Sequence, residues 1–452
     1  MILLTHGYFL EEDAKEQLIM KPYAPLGILY ISAYLDEKGI ENTVFDSTFS
    51  SIENLKKEIK SCRPDIVALY TNLMTKLNVL KIVSFIKREA KEIKVILGGP
   101  EIRYYSEDYL LHGADMVVIG EGEETMAEIG SYFSLNKCLP ANCTGTAFME
   151  DGKMITNPER NLIKDINNLP FPNRKKINLD LYLNTWKKYH GKSMVSVSTM
   201  RGCPYTCKWC SRAVYGGTYR RRSPEKVVEE FRYLKEHYNP EAVWFVDDVF
   251  TISHKWLKEF TSLVKDKNVM IPYEIITRAD RMNEEVLGML KESGCFRIWV
   301  GAESGSQRII DAMDRRVDVN KVREMIILSK KYGIEAGTFI MLGYPGETKK
   351  DIRQTIHHLQ VSKPDHYTVT LAYPIKGTPL YNETRETISG GGNFSESTDR
   401  DLDFKRTHST RYYQYALRWV HNAVMYDKEN FSIRKLKYAF KSGVARILMK
   451  FA

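Results

Sequence analysis

The sequence of 452 residues contains no run of 18 uncharged apolar residues, so it predicts no membrane-spanning helix. Residues Met1–Thr5 also lack the basic stretch and long apolar core of a secretory signal. We therefore expect a cytoplasmic protein. Aromatic residues make up 11% of the chain, which argues against disorder, and the length predicts two or three domains.

Cysteine is scarce and unevenly placed. There are seven cysteines, an odd number, and three of them fall within eight residues. In a reducing compartment this clustering indicates metal ligation, not a disulfide framework. We interpret Cys62 and Cys295 as small apolar core residues. Cys138 and Cys143 are too few to hold a second cluster.

The net charge of +9 belongs to the C-terminal segment alone. Residues 404–452 hold eleven of the basic residues and two of the acidic ones, so the preceding 403 residues sum to zero. The end of the chain, residues 434–452, has a basic amphipathic helical pattern. That pattern fits a helix packed over the preceding domain, one on an anionic membrane surface, or one that steers an anionic substrate. No nucleic-acid-binding motif accompanies it, and we expect no nucleic-acid partner.

Residues 1–135 alternate short apolar strands with amphipathic helices, which predicts a doubly wound parallel sheet. Ligands of such sheets bind at the carboxyl ends of the strands. The predicted strands are Ile2–Thr5, Thr43–Asp46, Ile66–Tyr70, Lys94–Leu97 and Met116–Ile119, and the predicted helices are Leu26–Lys38, Ile52–Lys60, Leu77–Glu89 and Thr125–Phe133, with a weaker one at Arg103–His112.

A second alternation occupies residues 193–375, after a connector (136–192) that contains a predicted hairpin at Gly145–Thr156. Repeated βα units of this length predict a partial TIM-like barrel with its site at the strand C-termini. Residues 376–452 form a basic, mainly helical segment. The predicted barrel strands are Met194–Thr199, Ala242–Val246, Ile271–Ile276, Arg297–Gly301, Ala336–Met341 and His366–Leu371.

Three cysteines in one short loop, Cys203, Cys207 and Cys210, carry the strongest chemical signal. Three thiolates can hold three irons of a [4Fe–4S] cubane, and the missing fourth ligand leaves one iron open to substrate. A zinc site normally needs four ligands, and no Cys or His follows at suitable spacing. Three unrelated core cysteines are the other alternative, but they would not need Gly and Pro in their loop.

The spacing C-x3-C-x-aromatic-C resembles the signature of the radical S-adenosylmethionine (SAM) superfamily, with Trp209 as the aromatic residue. The resemblance implies that a reduced cluster cleaves SAM to methionine and a 5′-deoxyadenosyl radical, which abstracts hydrogen from an unactivated carbon. It also implies a reducing electron donor such as flavodoxin or ferredoxin.

Residues after later barrel strands extend this resemblance. The segment 243–248 ends with Asp247 and Asp248, which the resemblance places near the SAM amine. It gives Glu303 to the ribose, the Gly343 segment to the adenine and Arg278 to the SAM carboxylate. Taken singly, an acid at a strand end is also an ordinary helix cap or a solvated loop residue.

The first domain resembles the cobalamin-binding domain of the B12-dependent radical SAM subclass. Small residues at strand ends let a backbone approach a large cofactor. His6 departs from the D-x-H-x-x-G pattern of classical cobalamin domains, so we interpret it as a strand-end residue and not as a cobalt ligand. The alternative is an α/β module that has lost cofactor binding. The resemblance implies that the cobalamin site is formed by Thr71, Asn72, Gly98, Gly99, Pro100, Gly120 and Gly122.

Together these features predict a cobalamin-dependent radical SAM methyltransferase that acts on an unactivated carbon. The same architecture resembles anaerobic magnesium-protoporphyrin ester cyclases, so a cyclase or other oxidoreductase is the first alternative. An iron–sulfur scaffold without turnover is the second. We expect a small-molecule or lipid substrate, for which an anionic group is one option, as is peripheral membrane contact through the C-terminal helix.

Overall fold

Two parallel sheets follow one another in the computed structural model, which describes residues 1–452. The first has the order β2-β1-β3-β4-β5-β6-β7, and β1 to β5 are parallel. Its strands are β1 (Ile2–His6), β2 (Asn42–Val44), β3 (Ile66–Tyr70), β4 (Lys94–Gly98), β5 (Met116–Val118), β6 (Thr146–Glu150) and β7 (Lys153–Thr156).

Helices cover both faces of this sheet, as the near-continuous apolar strands predicted. Successive residues of β3 enter two separate cores: Val67 and Leu69 pack on one face, Ile66 and Ala68 on the other. The helices are α1 (Ala14–Ile19), α2 (Leu26–Glu37), α3 (Ile52–Cys62), α4 (Lys76–Glu89), α5 (Ile102–Leu111) and α6 (Glu123–Asn136).

The hairpin that the sequence assigned to the connector belongs to the first sheet. Strand β6 pairs antiparallel with β5 through Val117 and Ala147, and β7 pairs with β6. The short β5 would otherwise be an open edge, and the hairpin covers it. The remaining connector forms α7 (Leu179–His190), which the sequence reading missed. Leu179, Tyr182 and Leu183 of α7 pack into the core of the second domain.

The second sheet is a six-stranded open barrel of parallel strands in the order β15-β14-β13-β12-β11-β8. Its strands, with the two-residue pair β9–β10, are β8 (Met194–Val197), β9 (Met200–Arg201), β10 (Arg220–Arg221), β11 (Ala242–Phe245), β12 (Tyr273–Thr277), β13 (Cys295–Glu303), β14 (Glu335–Leu342) and β15 (His366–Leu371). Its helices are α8 (Pro224–His237), α9 (His254–Asp266), α10 (Glu284–Glu292), α11 (Gln307–Ala312), α12 (Val319–Lys331) and α13 (Lys349–Ser362).

The C-terminal segment packs beside the last barrel strands. It consists of α14 (Pro379–Thr384), the β16–β17 hairpin (Ile388–Gly390 and Leu402–Phe404), α15 (Thr410–Lys428) and α16 (Ile433–Leu448). Helix α15 contacts α13, β14 and β15, and Tyr413, Ala416 and Val420 are fully buried in the barrel core. Helix α16 packs mainly on α15 and contributes Ala445 to that core.

Candidate functional site

The carboxyl ends of both sheets border one cavity of about 830 Å³, which is within the usual size of small-molecule sites. The loops after β3, β4 and β5 form one wall. The loop after β9 and the end of β11 form the other, where Cys203 and Asp248 lie. The start of α2, from Ala24 to Tyr30, closes a third side. The cavity therefore joins the sites that the sequence predicted separately for the two domains.

The three clustered cysteines lie in the loop that follows β9, and none is in a disulfide. Gly202 begins the loop at φ +84°, and a Cβ there would lie 2.5 Å from the Thr218 carbonyl oxygen. The Cys210 N–H donates to the Cys207 carbonyl oxygen (3.2 Å). Burial, and then the charge of Asp248, raises the pKa of the Cys210 thiol to about 12. A metal bound here would displace that proton.

Two arginines support this loop from behind. The Arg315 guanidinium donates to the Cys207 sulfur (3.5 Å) and to the Gly301 carbonyl oxygen (3.0 Å). Arg278 lies over the Tyr205 ring (3.8 Å) and donates to the Arg315 carbonyl oxygen (2.8 Å). Arg278 is 1% exposed and does not line the cavity, and its contact with the SAM carboxylate stays a prediction. Both guanidinium groups place positive charge beside the Cys207 sulfur.

The two aspartates after β11 have different environments. Asp247 is buried and accepts the N–H groups of Thr199 (2.7 Å) and Met200 (3.1 Å), so its oxygens tie β11 to the cysteine loop and do not reach the cavity. Asp248 lines the cavity. Burial, with the charge of Asp247, raises the pKa of Asp248. The sequence predicted both at the SAM amine; of the two, only Asp248 lines the cavity, and the contact with SAM stays a prediction.

Three further predicted SAM contacts lie at the barrel strand ends, outside the wall of the main cavity. Glu303 ends β13 at φ +63°, a left-handed conformation that is uncommon for non-glycine residues. Burial raises the pKa of Glu303, against the charges of Arg315 and Arg278. The Gly343 N–H donates to Glu347 Oε2 (2.7 Å). Trp209 packs in a small apolar cluster with residues of α11 and α14.

The wall contributed by the first sheet includes the small residues at the strand ends. Six of the seven predicted residues line it: Asn72, Gly98, Gly99, Pro100, Gly120 and Gly122. Thr71 does not, because its hydroxyl is hydrogen-bonded to Tyr109 (3.1 Å) behind the wall. Gly120 has φ +99°, and a Cβ there would meet no atom within 4 Å. This open surface lets a large flat ligand approach the backbone.

His6 lies at the end of β1 with both ring nitrogens engaged. Its Nε2 donates to Asp46 (3.1 Å), and its Nδ1 accepts the Tyr8 N–H (3.2 Å). A cobalt ligand needs one nitrogen free of such bonds. The geometry agrees with the interpretation of His6 as a strand-end residue.

Comparison with known proteins adds independent evidence. Residues 197–359 match the radical SAM superfamily, and residues 20–130 match the B12 binding domain. The chain is a radical SAM enzyme with a B12-binding domain. Its cofactors are accordingly a [4Fe–4S] cluster, SAM and cobalamin, as predicted. The superfamily match contains all three clustered cysteines.

Named relatives of this radical SAM enzyme include methyltransferases and a cyclase. It is 29% identical to an uncharacterized methyltransferase of Pyrococcus horikoshii, over 82% of this chain and 80% of that one. It is 23% identical to the anaerobic magnesium-protoporphyrin IX monomethyl ester cyclase of Rubrivivax gelatinosus, over 81% and 67%. Its fold matches the radical SAM methyltransferase TsrM of Kitasatospora setae with cobalamin and a [4Fe–4S] cluster bound (TM-score 0.70, 18% identity, 85% and 74% covered).

A buried ion-pair network joins the two walls of the enzyme's cavity. Arg201, two residues before Cys203, donates to Glu121 (2.6 Å) and to Glu123 (2.5 Å) of the opposite loop. Arg220 donates to the second oxygen of Glu121 (2.7 Å). All of these groups are nearly inaccessible to solvent. The network fixes the cysteine loop against the cobalamin-binding domain.

Sequence reasoning missed two functional arginines, Arg201 and Arg315. Arg201 adjoins the cysteine motif. Its partners are the acids of the Gly-Glu-Gly-Glu loop at 120–123, where the predicted cobalamin contacts were only the glycines. Arg315 contacts Cys207 from 108 residues away, and no local pattern marks it. None of the enzyme's helices is long and apolar enough to cross a membrane.

Proposed function

We propose that this radical SAM enzyme transfers a methyl group from SAM to an unactivated carbon of a small molecule by way of cobalamin. One observation carries the proposal: the same cavity is bordered by Cys203 and Asp248 on one side and by Gly98 and Gly120 on the other. A carbon held between these walls would be within reach of both cofactors, which is the proximity that such a transfer requires.

The proposed roles on the barrel side follow from the contacts. Cys203, Cys207 and Cys210 hold the cluster. When bound, the cluster and SAM supply the hydrogen-abstracting radical, and cobalamin supplies the methyl group. The Asp248 carboxylate accepts a hydrogen bond from the SAM amine at the cavity wall, and Glu303 accepts hydrogen bonds from the ribose hydroxyls.

Other barrel residues position these groups. Arg315 and Arg278 place positive charge beside the Cys207 sulfur, and Asp247 fixes the turn that precedes the cysteine loop. The main chain at Gly343 contacts the adenine, and Trp209 anchors the cysteine loop by packing in its apolar cluster.

The opposite wall is proposed to bind cobalamin through shape. The strand-end residues Asn72, Gly98, Gly99, Pro100, Gly120 and Gly122 let the ligand approach the main chain, and Thr71 braces them. The start of α2 adds Tyr23, Leu26 and Tyr30 to the cavity wall. These apolar groups exclude water, which would otherwise quench reactive carbon intermediates.

Electrons must reach the cluster from outside. Cys210 borders a second cavity of about 400 Å³, whose rim carries Arg103, Arg160 and Arg212 against one acid, Glu159, which pairs with Arg103. We propose that an acidic redox protein of the flavodoxin or ferredoxin kind approaches the cluster there, because a basic rim favours an acidic partner.

The test uses SAM labelled with carbon-13 in its methyl group. Anaerobically prepared enzyme, with iron, sulfide and hydroxocobalamin supplied, would be incubated with candidate lipids and ring precursors under a low-potential reductant. Methyl transfer predicts 5′-deoxyadenosine and a product heavier by one labelled CH₂. Label-free product with a mass loss of hydrogens would support ring formation, which the likeness to the cyclase favours. Enzyme that holds a cluster but never forms 5′-deoxyadenosine would overturn both.

A further inference from the structure

Helix α16 presents its apolar face away from the protein. Ala445 and Met449, on one side of the helix, are 3% exposed and belong to the barrel core. Large apolar side chains recur on the opposite side at three- and four-residue spacing, so they form one stripe. These residues and their exposed fractions are Ile433 (85%), Leu436 (59%), Phe440 (73%), Val444 (36%), Ile447 (54%) and Phe451 (81%).

The same segment is strongly basic and unneutralised. Residues 430–452 contain six lysines and arginines and no acidic residue. None of these six cations forms an ion pair. On an ideal helix, Lys437 and Lys441 lie on one flank of the apolar stripe, and Lys435 and Arg446 on the other. Arg446 and Lys450 also add to the charges around Lys349 of α13, so the positive surface extends beyond the helix.

We propose that α16 binds an anionic lipid bilayer, with its apolar stripe in the acyl boundary and its flanking cations at the headgroups. An exposed apolar stripe between two rows of cations matches both layers of an anionic membrane interface. A second copy of this chain is disfavoured as the occupant, because the contact would place two segments of charge +6 against each other.

The geometry connects this surface with the site. The last residue, Ala452, accepts a hydrogen bond from the Ser409 hydroxyl (2.7 Å) at the start of α15. Three residues earlier, Arg406 packs against Gly343 at the carboxyl end of β14. The end of α16 therefore lies near the same strand edge as the candidate SAM loop. A bilayer held by α16 would lie on that side of the barrel, which suits a substrate taken from the membrane.

The experiment measures sedimentation of the full-length, cofactor-loaded protein with vesicles. One set contains equal parts of phosphatidylcholine and phosphatidylglycerol, and the other phosphatidylcholine alone. We expect binding to the anionic vesicles that weakens as salt is added, and little binding to the neutral ones. Leu436→Ser/Phe440→Ser/Ile447→Ser and Lys437→Glu/Lys441→Glu should each lower partitioning by about tenfold or more.

Matched controls change equally exposed residues elsewhere. Leu18→Ser/Leu135→Ser removes two leucines that are 89% and 83% exposed, and Lys255→Glu/Arg88→Glu reverses two surface charges. Both should bind vesicles like the parent. Three outcomes would each overturn the proposal. They are equal binding to both vesicle types, unchanged binding of the α16 variants, and a dimer of the parent protein that dissociates in the apolar variant. SAM cleavage in solution is unaffected by the α16 changes, so this outcome is separable from that of the proposed function.

Discussion

The two walls of the cavity differ in the chemical groups that line them. The wall from the first sheet consists largely of main chain at Gly98–Pro100 and Gly120, where the absence of side chains creates room. The barrel wall includes the ionisable side chains of Arg201, Cys203 and Asp248, and buried ion pairs with Glu121 and Glu123 hold Arg201 in place. One wall therefore recognises shape, and the other supplies chemistry. Substitutions on the barrel side should accordingly abolish SAM cleavage, whereas substitutions on the other side should weaken cofactor binding by degrees.

The largest expected effect is on the barrel side, at Cys203. Cys203→Ala removes the thiolate that borders the cavity, and an iron without its protein ligand is lost from the cluster. We expect loss of the cluster's visible absorbance and of 5′-deoxyadenosine formation to background. Cys138→Ala, a change at an exposed cysteine of the first domain, is the control and should retain both. A variant Cys203→Ala that still cleaves SAM would refute the assignment of the cysteine loop.

The next effect tests whether the two walls depend on each other. Arg201→Met leaves Glu123 buried without its cation, and breaking a buried pair in this way costs about 3–5 kcal/mol. Urea unfolding should show that loss, together with a lower cobalamin content. Lys60→Met breaks an exposed pair with Glu89 and should cost about 1 kcal/mol or less. Equal, small losses in both variants would mean that the walls are independent.

The difference between the walls also explains what the sequence could predict. The strands of both sheets were placed to within a few residues, because apolar runs and turn residues mark their ends locally. The cysteine loop carries its own spacing. In two of the pairs of adjacent residues proposed at strand ends, however, only the second residue reaches the cavity: Asn72 and not Thr71, Asp248 and not Asp247. Successive side chains of extended backbone point in opposite directions, and a strand end uncertain by one residue cannot distinguish them.

Residues that act across long sequence separations were not predictable. Arg278 lies at a barrel strand end, as expected. The direction of its side chain, however, depends on Tyr205 and Arg315, which belong to other loops. The outward apolar stripe of α16 was visible in the sequence. Its exposure was not, because α15, which occupies the barrel side instead, was not recognised as a helix.

A pH effect is expected directly behind the barrel wall, at Glu347. Burial raises the pKa of this carboxyl from 4.5 to about 8, although the Gly343 N–H opposes the shift. Between those values Glu347 is protonated in the folded protein and ionised in the unfolded one, so unfolding releases a proton. The free energy of unfolding therefore falls as pH rises through this window, by up to about 1.4 kcal/mol per pH unit.

Glu347→Gln should remove this slope, because the amide stays neutral. Urea unfolding on both sides of the window measures it: the variant should match the parent at the acidic end and exceed it at the alkaline end. Glu92→Gln, at an exposed position, should follow the parent throughout. A parent and a Glu347→Gln variant with parallel pH profiles would show that the carboxyl is ionised in the fold.

The smallest effect separates shape recognition from simple backbone strain. Gly120→Ala and Gly39→Ala both place a Cβ at positive φ (+99° and +68°), and neither Cβ meets an atom within 4 Å. Each should therefore lose about 1 kcal/mol of stability. Only Gly120 lines the cavity, so only Gly120→Ala should also weaken cobalamin retention, by about tenfold, in equilibrium dialysis of the cluster-loaded protein. Equal cobalamin retention in the two variants would mean that the ligand does not approach the backbone at Gly120, and that the first wall is not a shape-recognition surface there.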